Sequence, residues 1–154
     1  MRLSIKDIDF VDMFLNDPEI YKYITDDSTN GRVDALRLFK DESVYVLSPD
    51  PNSLFIFHPM SYIIYQGHMQ CKKTDNGEQS WILANEAIEW MFSNTECKKI
   101  IGFTPTYCQP AVQLALKCGF EIEGYLTKSI MKNKRLCDQV ITGLTKDKWG
   151  GLWE

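Results

Sequence analysis

The sequence predicts an α+β fold: a mixed, mostly antiparallel sheet of about seven strands flanked by about four helices. Three observations carry this expectation. Short segments of β-branched and aromatic residues, punctuated by Pro49, Pro51 and Pro59, fill the middle of the chain. Two segments, Gln79–Ser93 and the run from Pro110 to Cys118, have the helical period instead. A buried-looking strand, KIIGFT from Lys99 to Thr104, separates those two helices in sequence.

Arg2 to Lys6 is the first strand expected. From Asp7 to Asn16, Ile8, Val11, Phe14 and Leu15 share one helical stripe, and Asp17-Pro18 opens a second short helix through Ile24. Thr25–Val33, with Asn30-Gly31, is a polar loop, and Ala35 to Phe39 adds a helical turn. Strands follow over Val44–Leu47, Leu54–His58 and Tyr62–Cys71, in the manner of an antiparallel meander. In the third of these, Ile63, Tyr65, Gly67, Met69 and Cys71 share one face. Tyr62, Ile64, Gln66, His68 and Gln70 share the other, and Gly67 marks a bulge or a close backbone approach. Within Gln79–Ser93, Ala84, Ala87, Ile88 and Met91 form the core face, while Asn85, Glu86 and Glu89 turn outward. Asn76 followed by Gln79 resembles a capping box. Two last strands, Phe120–Met131 and Leu136–Leu144, meet at Lys132-Asn133-Lys134-Arg135.

A chain of 154 residues suits one domain, residues 1–154, long enough to bury a sizeable core. Its net charge is −4 and its one basic cluster is Lys132–Arg135, which disfavours binding nucleic acid through phosphate neutralisation. No apolar run approaches the roughly 20 residues that cross a bilayer, and the N-terminus has no signal-peptide core, so no membrane partner and a cytoplasmic location are expected. Cys71, Cys97, Cys108, Cys118 and Cys137 are odd in number, scattered and without a C-x-x-C pair. They read as reduced thiols, neither a disulfide framework nor a metal site. The tail 149–154, with Trp149, Leu152 and Trp153, is apolar; it either closes over the core or offers a patch to a partner chain.

The stretch Gln109–Gly124, QPAVQLALKCGFEIEG, holds the densest local signals. Pro110 suits a first helical turn, and Gly119 suits the left-handed residue that ends a helix. Ala111, Leu114, Ala115 and Cys118 recur at i, i+3, i+4 and i+7, and Lys117 complements the helix dipole in the last turn. Phe120 and Ile122 then alternate with Glu121 and Glu123, the period of a half-exposed strand. Those two acids are read as a solvated face, not as paired catalytic carboxylates.

Ala111, Lys117, Gly119, Phe120, Glu123 and Gly124, with Asp138 and Trp149 further on, resemble the last helix and following strands of the GCN5-related N-acetyltransferases, the GNAT superfamily. The likeness is nearest to the ribosomal-protein N-acetyltransferase branch and to small GNAT-like proteins encoded by bacteriophages, and it covers roughly the last three-fifths of the chain. It implies a sheet that splays open between the strand holding Gly67 and KIIGFT, with acetyl-CoA as acyl donor in the opening. The implied cofactor contacts are Met69, Gln70 and Cys71 along pantetheine; Lys73, Gly77, Gln79 and Ser80 around the pyrophosphate; and Cys108 just before the Pro110 helix.

An anion at a helix N-terminus is favoured by free N–H groups and the helix dipole. The loop Lys73–Ser80 departs from the family's glycine-rich pattern, carrying Asp75 and Glu78 and one glycine, with Lys72 and Lys73 as offsetting cations. Loss of two charge-assisted hydrogen bonds, at roughly 1.5–3 kcal/mol each, would weaken such a site about a hundredfold to ten-thousandfold. His68 lies mid-strand near where the family places the base that deprotonates the amine, and imidazole titrates near neutral pH; the alternative is a strand histidine satisfied by its neighbours. His58 reads as structural or exposed. A helix N-terminus lowers a thiol pKa, which bears on Cys108, although the family transfers acetyl directly and a structural role is favoured. Ala115 stands where many relatives have a tyrosine acid; Tyr107 and Tyr125 are the candidates to replace it, nothing in the sequence singles either out, and core or rim packing is the favoured role of both.

Two functions follow from the resemblance: an acetyl-CoA-dependent N-acyltransferase acting on the primary amine of a small molecule or protein terminus, or a non-catalytic GNAT-fold phage protein acting through contacts in virion or head assembly. The second places the chain in a bacterial host cell, with a homo-oligomer or virion protein as partner. The acceptor side is expected near Tyr21, Tyr23 and Asp26-Asp27; the acids either attract a cationic amine or are solvated loop charge.

Overall fold

The computed structural model describes residues 1–72 and 78–151. Its first element is not the strand expected at Arg2–Lys6. Ser4 Oγ accepts from Lys6 N and the Asp7 carboxylate accepts from Ser4 N at 2.9 Å, closing a capping box around a 3-10 turn at Ile5–Asp7. These side chain–backbone bonds compete with a ladder, and only the bridge Arg2↔Leu47 and the bond Leu3 N to Val46 O at 2.8 Å remain of the strand.

Helix α1 (Ile8–Leu15) buries Val11, Phe14 and Leu15 from the expected stripe. Helix α2 (Pro18–Ile24) begins as its sequence requires: the Asp17 side chain accepts from Glu19 N at 2.9 Å, and Pro18 fills a first-turn position that needs no donor. A single turn, α3 (Leu36–Phe39), precedes the meander β1 (Tyr45–Leu47), β2 (Ser53–Pro59) and β3 (Ile64–Cys71). Then come α4 (Glu78–Asn94), β4 (Lys99–Pro105), α5 (Gln109–Lys117), β5 (Glu121–Lys132), β6 (Arg135–Thr145) and α6 (Lys146–Gly151). The sheet has six strands in the order β1-β2-β3-β4-β6-β5, and β3 with β4 is its parallel pair.

Both faces of the sheet's first half are covered, so the centre of β2, Leu54–Phe57, is apolar on both sides. Leu54 and Ile56 pack with Val46 against Val11, Phe14, Leu15 and Ile20 of α1 and α2. Phe55 and Phe57 point the other way, into a core with Ala84, Ala87, Ile88, Met91 and Phe92 of α4 and Ala115, Cys118 and Phe120 around α5. The predicted core face of α4 is wholly buried. Asn85 is half-buried where an outward residue was expected: its Nδ2 donates to Trp81 O at 2.9 Å, and its Oδ1 has no partner among the described residues. Trp149 packs on Phe92, ring centroids 5.5 Å apart, so the described part of the tail closes over the core as a short helix. Residues 152–154 lie outside the described part, as does the proposed cap at Asn76.

Helix α5 ends as the glycine predicts. Gly119 has φ +96°, Gly119 N donates to Leu116 O, and Phe120 N donates to Ala115 O, both at 3.0 Å, the paired bonds of a Schellman stop. The strand after it departs from the expected alternation. A register shift falls between Ile122 and Gly124, leaving Ile122 45% exposed, and β5 is the free edge of the sheet. Asn133 and Lys134, at φ 52° and 63°, form the two-residue turn into β6.

Replacing Gly119 by alanine forces a Cβ into the left-handed region and should cost about 1–2 kcal/mol. Urea unfolding measures it; an unchanged midpoint would show that the α5 stop does not depend on that conformation.

Candidate active site

Strands β3 and β4 pair over three positions, Ile64↔Lys99, Tyr65↔Ile100 and Gln66↔Ile101. Beyond them each strand stays with its outer neighbour. β3 remains bonded to β2 as far as Ser53↔Cys71, and β4 remains bonded to β6 as far as Pro105↔Gln139. The two half-sheets therefore diverge, and Gly67–Cys71 faces Gly102–Pro105 across a gap. This is the splay the resemblance implied.

A cavity of about 560 Å³ occupies the gap. Pro110, Ala111, Leu114 and Ala115 of α5 wall one side, and Glu19, Ile20, Tyr23 and Ile24 of α2 wall the other. The apolar stripe expected on α5 is thus divided: Ala115 and Cys118 enter the core, Ala111 and Leu114 remain half-buried on the cavity, and Val112, outside the expected stripe, is buried as well. Gly67 and Gly102 stand where the strands part. A Cβ on Gly67 would lie 3.1 Å from Ile100 Cγ2 and from Phe57 Cε1, and one on Gly102 would lie 2.9 Å from Thr142 Oγ1. No bulge occurs in β3, and the close neighbours at Gly67 are the side chains of Ile100 and Phe57 rather than another backbone.

His68 lines the cavity, half-buried, with its ring edge-on to His58 at 5.4 Å between centroids. Burial pushes its pKa from 6.5 down to about 4, and the neighbouring His58 adds to the shift. The ring is therefore neutral at pH 7. His58 is itself lowered by burial, against the pull of Asp41, and lies outside the cavity lining.

Of the cofactor contacts that the resemblance implied, Met69, Gln70 and Cys71 lie together on the cavity wall, and Ser80 meets them from the first turn of α4. Burial raises the Cys71 thiol to about 11, opposed by a hydrogen bond with Ser80. Gln70 Oε1 is buried and has no hydrogen-bond partner among the described residues. Gln79 is exposed and does not line the cavity. Lys73 and Gly77 lie outside the described residues.

Cys108 is the N-cap of α5 and lines the cavity, but the helix terminus does not activate it. The side chain is buried, its Sγ donates to Tyr23 O at 3.2 Å, and burial raises the thiol to about 11. Tyr107 lines the cavity; its hydroxyl donates to Thr25 O at 3.4 Å, and burial raises its pKa to about 12. Tyr125 is 60% exposed and away from the cavity.

The acidic pair expected near the acceptor is otherwise engaged. Asp27 accepts from Asn133 N at 2.8 Å and Lys134 N at 2.7 Å, and Asp26 accepts from Ser28 N at 2.8 Å. Tyr21 donates to Gly31 O, so Tyr23 is the α2 tyrosine on the cavity. Sequence reasoning missed Gln139, Thr142 and Ile130 on the wall, because their place depends on long-range pairing of β5 and β6. Gln66 and Gln70 were legible, since period two places them beside His68.

No protein-family model and no curated protein sequence matches the chain. Solved structures match its fold. Spermidine N-acetyltransferase from Vibrio cholerae, in complex with CoA and spermine, is similar with a TM-score of 0.78 at 19% identity, over 97% of this chain and 95% of its own. A GNAT-family acetyltransferase from Bacillus anthracis gives 0.72 at 18% identity, over 96% and 93%. Another from Streptococcus pneumoniae gives 0.72 at 18% identity, over 94% and 97%. The protein therefore has the GNAT fold.

The histidines make stability depend on pH in a stated direction. Between about pH 6.5 and pH 4 the unfolded chain binds a proton at His68 that the folded chain refuses, so lowering the pH through that window destabilises the fold. His58 acts in the same direction. Urea midpoints measured from pH 7 to 4.5 should fall less steeply for His68→Gln than for the unaltered protein; parallel curves would contradict a depressed His68.

Proposed function

We propose that the protein is an acetyl-CoA-dependent N-acetyltransferase acting on a primary amine. The observation that carries this reading is the three-residue pairing of β3 and β4, which leaves a slot bounded by unpaired strand and α5. The lining fits a thin amide-bearing arm: strand edges supply N–H and C=O groups, and Ala111, Leu114 and Met69 supply apolar walls. In this reading Met69–Cys71 hold the pantetheine portion. The N-terminal end of the 17-residue α4, with Ser80, faces the phosphates, where its dipole favours an anion. Cys108 is a wall residue.

Bound there, acetyl-CoA supplies an activated acyl group. The chain's part is to orient the amine and remove its proton, and His68 is the group assigned to that step. With a pKa of about 4, His68 lies about six units below an ordinary alkylammonium, so taking a proton from the charged amine would cost about 8 kcal/mol. It therefore receives the proton late, from an amine that arrives uncharged and whose N–H becomes acidic as the new N–C bond forms. The lowered basicity leaves the ring fully available as an acceptor at neutral pH.

Acetyl-CoA at about a hundred times its dissociation constant should stabilise the fold by roughly 2.7 kcal/mol, a rise in Tm of about 5–10 °C. No rise would leave the fold as a scaffold acting through protein contacts. Ala111→Phe, at a half-buried position on the slot, should abolish the rise while leaving the Tm without ligand within a few degrees. His68→Gln should keep the rise and lower kcat about a hundredfold; full turnover in that variant would remove His68 from the mechanism. The rate should show no inflection near pH 6.5, the ordinary imidazole value.

A further inference from the structure

We infer that the open dish between the C-terminal end of α4 and the β2–β3 turn binds a quaternary ammonium group. The assignment is independent of the acetyltransferase reading, because none of the residues lining this dish lines the cavity at the splay. Charge, aromatic rings and the occupancy of hydrogen-bonding groups each contribute to it.

The dish measures about 550 Å³ and lies toward the end of the sheet where β3 and β4 are still paired. Among the described residues lining it, Glu96 is the one carboxylate, and no lysine, arginine or histidine stands against it. Glu96 is exposed and forms no ion pair among the described residues. Its charge reaches the floor of the dish: the Tyr65 phenol is raised above its ordinary value, by burial foremost and by Tyr45, Cys97 and Glu96 besides. Asn94 ends the 17-residue α4, whose last turn holds no basic residue. The negative end of that helix dipole is therefore unopposed from within the helix, and a cation in the dish complements it.

The rings act in the same direction. Tyr45 and Tyr65 meet edge to face, centroids 5.8 Å apart, and Tyr62 stands at the rim, 75% exposed. Tyr45 already holds a cation of the chain's own. The Arg2 guanidinium carbon lies 4.2 Å from its ring centroid, and Arg2 Nη2 donates to Glu42 O, outside the lining. Tyr62 has no such cation among the described residues. An aromatic face attracts a cation electrostatically, and more so when the cation sheds its water readily, as a methylated ammonium does.

The polar side chains decide between a methylated ammonium and one that carries N–H groups. Ser61 Oγ accepts from Ile64 N at 3.2 Å, and Asn94 Nδ2 donates to Trp90 O at 3.0 Å. Thr95 Oγ1 donates to Met91 O at 2.6 Å and accepts from Cys97 N at 3.1 Å. These groups are committed to backbone. A primary ammonium needs several acceptors and would exchange water for partners already engaged. A quaternary ammonium has no N–H to satisfy and needs only charge and apolar contact.

The test follows amide shifts of the isotope-labelled full chain at constant ionic strength. Choline is compared with ammonium and with dimethylbutanol, the uncharged isostere of choline. Choline should give saturable shifts at Tyr62, Asn94, Thr95 and Glu96 and bind at least about tenfold more tightly than either alternative. Glu96→Gln and Tyr62→Ala, both at exposed positions, should each weaken choline several-fold and leave the Tm without ligand unchanged. Shifts that do not saturate, or that fall on the splay cavity instead, would overturn the assignment. So would equal binding of choline and the alcohol, equal binding of choline and ammonium, or unchanged choline binding in both variants.

Discussion

Everything at the site follows from a ladder that stops. β3 and β4 are joined at three positions, and each then keeps its bonds to the strand outside it. Backbone polar groups ordinarily demand partners when they are buried. A stretch of parallel neighbours without mutual bonds therefore persists only if water, a ligand or another element serves those groups. Here α5 stands in the opening and α2 covers it from the opposite side of the sheet.

Holding the two half-sheets apart requires that each be stable by itself. The β1–β3 half is clamped between α1–α2 and α4, with Phe55 and Phe57 buried on one side and Leu54 and Ile56 on the other. The β4–β6 half is fixed by long antiparallel pairing, from Lys99↔Thr145 to Pro105↔Gln139. Ile100 and Leu144 join it to the core beneath α4 and α5. The cavity thus lies at the seam between two well-supported units, where the β3–β4 ladder stops.

Local signals were legible wherever one residue type answers one backbone demand. Pro18 and Pro110 mark helix starts, Gly119 marks the α5 stop, and the period of α4 gives its core face. His68 beside Gln66 and Gln70 followed from strand alternation alone. What failed depended on distant partners. The Ser4–Asp7 box won the first segment from the sheet, and the bulge after Ile122 undid an alternation that was correct for two residues. Asp27 read as solvated loop charge or an attractor for an amine, because nothing local shows that its partners are the amides of Asn133 and Lys134. For Cys108 the structural role was the favoured reading, and burial against the Tyr23 carbonyl agrees with it.

The strap between α2 and the β5–β6 hairpin has a consequence for how the protein comes into being. Lys132 Nζ donates to Lys22 O at 2.8 Å and to Thr25 O at 2.7 Å, while Asp27 N donates to Met131 O at 2.9 Å, joining positions more than a hundred residues apart. The rim of the opening is therefore laid down by segments that lie far apart in the chain. A fragment lacking the hairpin cannot present a finished mouth, because closing the rim waits on these non-local contacts.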